Sequence, residues 1–381
     1  MIELDLTGAE VLGPNGFAPG RLSFANGKIQ SGPVGRARNL AGYRVLPGIV
    51  DMHGDGFERH VAPRRGAMTQ MGEGIRAAEA ELASQGITTA VLAQFVSWEG
   101  GLRGLEFAER VFAAIRDTRD MLVTDLRAQL RLETHLTDLF AEMPARIAAW
   151  QVKYVVFNDH LPHDRLAAAR KPPRLVGQAL KAGRNPDAHF KHLLELHGRH
   201  ASVPRAIEEL CTKLKAQGIR LGSHDDSTAD ERAFWNARGV HIAEFPETEA
   251  AASAARAQGD AVVLGAPNLV RGGSHKGNVS VRDLVVAGLC DALTSDYHYP
   301  SPRRAALLLA QEGILDLAEA WKLVSSGPAR VLGLDDRGTL APGLRADMVI
   351  LDAETNHVAA TISGGRFSFL AGDIAHRLLS A

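Results

Sequence analysis

The sequence predicts an α/β fold, a (β/α)8 TIM-like barrel joined to a small β-sandwich built from both chain ends. Three observations carry that expectation. Short apolar β-runs alternate with helical spacing from Val45 to Ser295, the pattern of parallel strands with crossover helices. Polar clusters follow nearly every β-run, at 53–55, 133–135, 158–160, 224–226, 268–278 and 296–298, and in a barrel that is the face where active sites lie. Short, turn-punctuated β segments occupy residues 1–44 and 338–381, which pair into the sandwich and leave 45–337 for the barrel.

Residues 1–44 hold alternating pieces at Met1–Leu6 and Arg21–Phe24, then Asn26-Gly27 leading into Lys28-Ile29. Asn-Gly between two short strands is a strong local hairpin signal. The barrel is expected to begin at Val45, where Val45, Leu46, Ile49 and Val50 form an apolar run. Met68–Gln85 has helical spacing through Met71, Ile75, Ala78 and Leu82, and 86–93 is the second buried run. Leu105–Leu130 is helical at least in its first half, and Ala128–His135 and 152–160 are the third and fourth β-runs.

Residues 161–205 are rich in Arg, Lys, His and Pro with weak periodicity, which predicts a long excursion over the barrel mouth with the character of a lid. Ile207–Gln217 is a helix closed by Gly218. Further β-runs are expected at 219–224, 240–245, 261–265 and 289–295, with helices at 229–237, 248–258 and 281–287 between them. A terminal helix over Ile314–Leu332 precedes the returning β segments.

Composition bounds the function. Apolar content of 45% and charged content of 23% are those of a globular protein with a large core. The formal charge of −1 gives no electrostatic footprint for nucleic acid or an anionic membrane, so anion binding must come from a local cluster. Cys211 and Cys290 are far apart and flanked by apolar residues, as buried free thiols of a reducing compartment are. The chain start shows neither a basic n-region nor an apolar h-region, and no run reaches the ~18 apolar residues of a membrane span. A cytoplasmic homo-oligomer is the expectation.

The chemistry is concentrated at strand ends. Asp51, His53 and Asp55 alternate, so they share a face, with Asp51 deeper along the strand and structural. His53, Asp55, Glu133, His160, His224 and Asp296 form the expected ligand set for one or two divalent transition ions. Mixed nitrogen and oxygen donors favour Zn²⁺, with Mn²⁺ or Fe²⁺ as alternatives, over Ca²⁺. Asp296 is the expected proton-transfer residue. The loop from Val270 to Asn278 supplies Arg271, Ser274, His275, Lys276 and Asn278 among three glycines, a nest-like phosphate site. Arg59, His60, Arg64 and Arg65 follow the first β-run and can clamp distal phosphates.

Pro47-Gly-Ile-Val-Asp-Met-His53, the later strand-end His and Asp residues, and Gly338-Thr-Leu-Ala-Pro-Gly-Leu-Arg-Ala-Asp347 resemble the amidohydrolase superfamily of metal-dependent hydrolases. The resemblance covers nearly the whole chain. Where that superfamily usually has His-x-His on its first strand, this chain has His53-Gly-Asp55. That departure, Ser223-His-Asp-Asp-Ser-Thr228, the 265–280 run and Ser295-Asp-Tyr297 are similar to the phosphonate-utilisation branch. The resemblance implies release of pyrophosphate from a ribose 1-methylphosphonate 5-triphosphate, in the carbon–phosphorus lyase pathway. His298–Arg304 departs from the branch, where a shorter and more apolar continuation is expected. Hydrolysis of an amide or cyclic amide, and a non-catalytic member of a phosphonate-pathway assembly, are the alternative readings.

Overall fold

The computed structural model describes residues 2–63, 70–273 and 278–379. The strands in chain order are β1 Leu4–Gly13, β2 Gly16–Ala25, β3 Lys28–Gln30, β4 Ala37–Asn39, β5 Tyr43–Pro47, β6 Ile49–Gly54, β7 Ile87–Val96 and β8 Asp125–Glu133. They continue with β9 Tyr154–Asn158, β10 Arg220–His224, β11 Ile242–Glu244, β12 Ala261–Gly265, β13 Ala292–Thr294, β14 Met348–Asp352, β15 Val358–Ser363 and β16 Arg366–Leu370.

The terminal segments make one mixed sheet, ordered β16-β15-β14-β5-β1-β2-β3 with β4 on β1. Its apolar core draws on both ends of the chain, with Leu4, Leu6, Phe24 and Val45 packed among Met348, Ile350, Ile362 and Ile374. The expected hairpin is present. Ala25 pairs with Lys28, and Asn26 and Gly27 both take positive φ, the conformation a two-residue primed turn requires.

The second sheet contains β6 to β13, eight parallel strands in chain order. A parallel bridge between Gly54 and Asp296 joins the ends of the first and last strands, as a barrel requires. Every residue of β6, β7, β9, β11 and β13 is buried, which explains why the sequence shows continuous apolar runs there rather than alternation. Helices such as Met71–Ser84, Leu105–Thr118, Val203–Ala216 and Glu249–Ala257 separate the strands. The chain divides into two compact units: Met1–Leu92, Asp117–Arg127 and Val263–Ala381 form one, and Ala93–Arg116 and Ala128–Val262 form the other.

Two expectations are corrected, the first strand and the terminal helix. The run beginning at Val45 is two strands, not one. Val45 and Leu46 pair with Ile350 and Val349 in the terminal sheet, and the parallel sheet starts at Ile49. Gly48 makes that exchange feasible, because a Cβ there would lie 2.3–2.9 Å from the side chain of Thr88. The excursion at residues 161–205 contains the helices His163–Ala167, Leu175–Lys181 and Pro186–Gly198, and Leu166, Leu175, Leu193 and Leu196 pack with Trp98. Their apolar contacts are spread over three short helices, so no long periodic stretch was visible.

The expected helix over Ile314–Leu332 is instead Leu317–Lys322 and Ser326–Leu332. Ser325, at φ −132° and ψ −84°, leaves the helical conformation between them. Cys211 is buried as expected, whereas Cys290 is only partly so.

Gly48→Ala should lower stability by about 1–3 kcal/mol through overpacking. Thr88→Ala in the same chain should recover part of the loss in a denaturation experiment; no recovery would mean that Thr88 is not what requires glycine at 48.

Candidate metal centre

In the first unit, the ends of β6 and β13 are tied by a dense hydrogen-bond ladder. Asp51 is fully buried, and its carboxylate accepts from Thr294 Oγ1 at 2.5 Å, from the Ser295 backbone N–H at 2.9 Å and from Ser295 Oγ at 2.5 Å. The Thr294 hydroxyl in turn accepts from the His53 N–H at 2.8 Å. The Asp296 N–H donates to the His53 carbonyl at 2.9 Å, and the Asp55 N–H to the Asp296 carbonyl at 2.8 Å. His53, Asp55 and Asp296 are therefore brought together, with Asp51 as the structural member the alternation predicts.

The glycines around Asp55 are spatial requirements. A Cβ on Gly54 would sit 2.8 Å from Asp51 Oδ2 and 2.9 Å from Ser295 Oγ, both already fixed in hydrogen bonds. Asp296 adopts φ +52°, costly for a residue with a side chain and typical of constrained functional positions. Asp225 and Phe245, which directly follow β10 and β11, share the feature at +62° and +55°.

The second unit holds the other predicted donors. Glu133, the last residue of β8, is fully buried, with Oε1 2.5 Å from His160 Nδ1 and Oε2 accepting from the His160 N–H at 3.2 Å. Burial works against a charged His160 imidazole. The hydrogen bond and the negative charge of Glu133 outweigh it and hold the group above its ordinary value. His224, the last residue of β10, has Nε2 2.9 Å from Arg131 Nη2, which makes it the acceptor, and Nδ1 3.1 Å from Asp225 Oδ1.

The segment after Ser223 is positioned by a buried ion network. Arg232 Nη1 donates to Asp226 Oδ2 at 2.8 Å and to Ser223 Oγ at 2.5 Å, and Arg232 also pairs with Asp260. Thr228 and Glu231 then form a capping box that starts the helix Ala229–Asn236.

Glu244 was not among the expected residues. It ends β11, is fully buried, and its Oε1 accepts from Tyr154 Oη at 2.6 Å and from Gln129 Nε2 at 2.8 Å. Burial, then the charge of Glu244, pushes the Tyr154 phenol well above its ordinary range. Arg131 was missed too. Its guanidinium lies 3.9 Å from the Phe95 ring centre and is buried. For Arg131 a signal was available, since Asp125, Arg127, Gln129, Arg131 and Glu133 alternate along β8 and share one face.

The expected phosphate contacts divide. Arg271, at the end of the helix Ala266–Arg271, is exposed and reaches Tyr297 Oη at 3.5 Å, beside Asp296. Asn278 is half-buried. Ser274, His275, Lys276, Arg64 and Arg65 lie outside the described residues. Arg59 and His60 are both engaged by Glu81, His60 Nε2 at 2.6 Å, so neither is a ready anion contact. Arg303 and Arg304 open the helix Ser301–Gln311, and Arg303 donates to the Asn356 carbonyl at 2.7 Å.

The donors suit a divalent transition ion. Imidazole nitrogens and carboxylate oxygens, rather than oxygens alone, favour zinc-like over calcium-like ions. Glu133, His160, His224 and Glu244 are each oriented by a hydrogen-bond partner, as metal-ligating side chains usually are.

Comparison with known proteins follows the same direction. The amidohydrolase family matches residues 58–368. The α-D-ribose 1-methylphosphonate 5-triphosphate diphosphatase of Escherichia coli K12 is 34% identical over 361 residues, covering 90% of this chain and 94% of that protein. An adenine deaminase of Methylobacterium sp. strain 4-46 is 37% identical over 106 residues, which is 24% of this chain and 19% of that one. Among solved structures, N-acetylglucosamine-6-phosphate deacetylase of Pasteurella multocida superposes with a TM-score of 0.64 at 11% identity, covering 96% of this chain and 99% of its own.

Asp51→Ala should destabilise the fold by about 2–4 kcal/mol, because two hydroxyls and an N–H lose a buried charged acceptor. Urea denaturation measures it, and a loss under about 1 kcal/mol would contradict the bracing role of these contacts.

Proposed function

The chain belongs to the amidohydrolase family of metal-dependent hydrolases, and from that premise we propose that it releases pyrophosphate from α-D-ribose 1-methylphosphonate 5-triphosphate, leaving a 5-phosphate. The observation that carries the reading is the 34% identity, over nine-tenths of the chain, with the Escherichia coli diphosphatase. The donor set supports it, with a carboxylate at Asp55 where most of the superfamily has an imidazole. One or two divalent transition ions, with Zn²⁺ first, would draw their ligands from His53, Asp55, Glu133, His160, His224 and Asp296, and we add Glu244 to that set.

Such an ion, when bound, supplies Lewis-acid charge and lowers the pKa of water. The residues do the rest. The Asp296 carboxylate takes the proton of the attacking water as its oxygen closes on the α-phosphorus. The bond from the α-phosphorus to the oxygen bridging it to the β-phosphorus breaks, and that oxygen leaves with the pyrophosphate. In-line attack needs the α-phosphate fixed between water and leaving group. Arg271 offers bidentate donors to the non-bridging oxygens, Lys276, His275, Ser274 and Asn278 follow it in sequence as further candidate donors, and Arg64 and Arg65 are candidates for the distal phosphates.

Asp296→Asn should remove most turnover, by about 10²–10⁴-fold for the loss of a positioned base, while metal content stays near normal. Pyrophosphate release from the ribose 5-triphosphate ester measures the first and elemental analysis the second. A fully active variant would remove Asp296 from its role. Turnover of N-acyl substrates with no pyrophosphate release from the triphosphate would overturn the reaction class.

A further inference from the structure

The residues assigned to turnover leave a second group of metal-type donors unused. Where β8 and β9 end, His135, Asp159, His163, His197 and His200 meet within the second unit. His135 Nε2 is 3.1 Å from His200 Nδ1, and His163 Nε2 is 3.0 Å from Asp159 Oδ2. Ligand atoms of His135, His163 and His200 all lie within 4.8 Å of one another. His197 joins through its Nδ1, 2.9 Å from His163 Nδ1.

We propose that His135, His163 and His200, with Asp159, form a second site for a divalent transition ion, zinc in the first instance, that fastens the 161–205 helices to the ends of β8 and β9. Four observations carry it. The donors are imidazoles and a carboxylate, the ligands zinc takes in proteins. The 3.1 Å separation of His135 Nε2 from His200 Nδ1 is close to the ~3.3 Å that tetrahedral geometry gives for Zn–N bonds of about 2.0–2.1 Å. His135 is oriented from behind: its Nδ1 is 3.0 Å from Thr134 Oγ1, which leaves Nε2 as the ring nitrogen turned toward His200. The rings are also preassembled, with centroids 4.9 Å apart for His135 and His163, 5.3 Å for His135 and His200, and 4.8 Å for His163 and His200.

The site has a physical use. His135 follows β8, Asp159 follows β9, His163 opens a five-residue helix, and His200 opens the short turn after Pro186–Gly198. Leu161, Leu166, Leu175, Leu193 and Leu196 of this region form a small apolar cluster with Trp98. An ion joining positions 135, 163 and 200 closes two loops of chain at once, and ligation free energy becomes folding free energy for the segment that supplies the ligands.

The test uses the full chain, stripped of metal and reloaded with zinc, against the double variant His163→Ala, His200→Ala. The wild type should bind one zinc equivalent more than the variant by elemental analysis. Zinc should protect 161–205 of the wild type, and not of the variant, from limited proteolysis, while pyrophosphate release continues in both. Equal zinc content in the two chains would overturn the proposal. Loss of both the extra ion and turnover would also overturn it, because the cluster would then hold the ion used in hydrolysis. Should the double variant fail to fold, cobalt-loaded wild type and the single variant His200→Ala, whose side chain is exposed, replace it. The variant should lose part of the cobalt absorption, and an unchanged spectrum would reject the site.

Discussion

A carboxylate shut away from water is stable only where donors surround it, and Asp51 satisfies that condition with three hydrogen bonds from Thr294 and Ser295. Their consequence reaches beyond one side chain. β13 is only three residues long, and the ladder to β6 continues past it through Asp296 N–H to the His53 carbonyl and Asp55 N–H to the Asp296 carbonyl. Three of the proposed ligands therefore owe their backbone positions to one buried acid. Gly54 is needed for the same reason, since any side chain there would press on the Asp51 carboxylate and the Ser295 hydroxyl.

The second unit uses a different device for the same end. Its strand ends carry charge into the interior, where an isolated ion is expensive and a paired one is tolerated. Arg232, fully buried, is matched by Asp226 and Asp260. Glu244 is held by a phenol and an amide, and Glu133 by an imidazole and an N–H. Removing one partner of such a set leaves the other uncompensated, so these residues are exacting about substitution even where they do not touch substrate.

Much of the fold was legible because strand and helix periods differ, and eight buried runs between amphipathic helices have few other solutions. What was not legible has local causes. Val45 and Ile49 belong to one apolar run, and only the packing of Gly48 on Thr88 reveals that the chain changes sheets between them. The helices of 161–205 bury one or two leucines each, too few to show a period. For the site, residues standing after an apolar run were readable, and His53, Glu133, His160, His224 and Asp296 all stand there. Arg131 and Gln129 were not, because they sit inside a strand, where a polar residue is ordinarily unwelcome. The alternation along β8 was the available signal, and it was obscured by reading Ala128–His135 as a continuous buried run.

The charge of the proposed ligand set bears on its substrate. Exchanging an imidazole for a carboxylate at position 55 makes the ligands one unit more negative, which strengthens the hold on cations while opposing a polyanionic substrate. The overall charge of −1 provides no compensating long-range field. At physiological salt the Debye length is about 8 Å, so cations further than that from a phosphate contribute little. Binding a triphosphate then depends on guanidinium groups close to the reacting phosphorus. Arg271, the contact proposed above, is exposed and reaches Tyr297 next to Asp296. Arg59, which lies nearer the first strand in sequence, is neutralised by Glu81 and held against the Tyr297 carbonyl. The two arginines thus divide the work, one bracing the segment that carries Asp296 and the other facing solvent, where an anion can reach it.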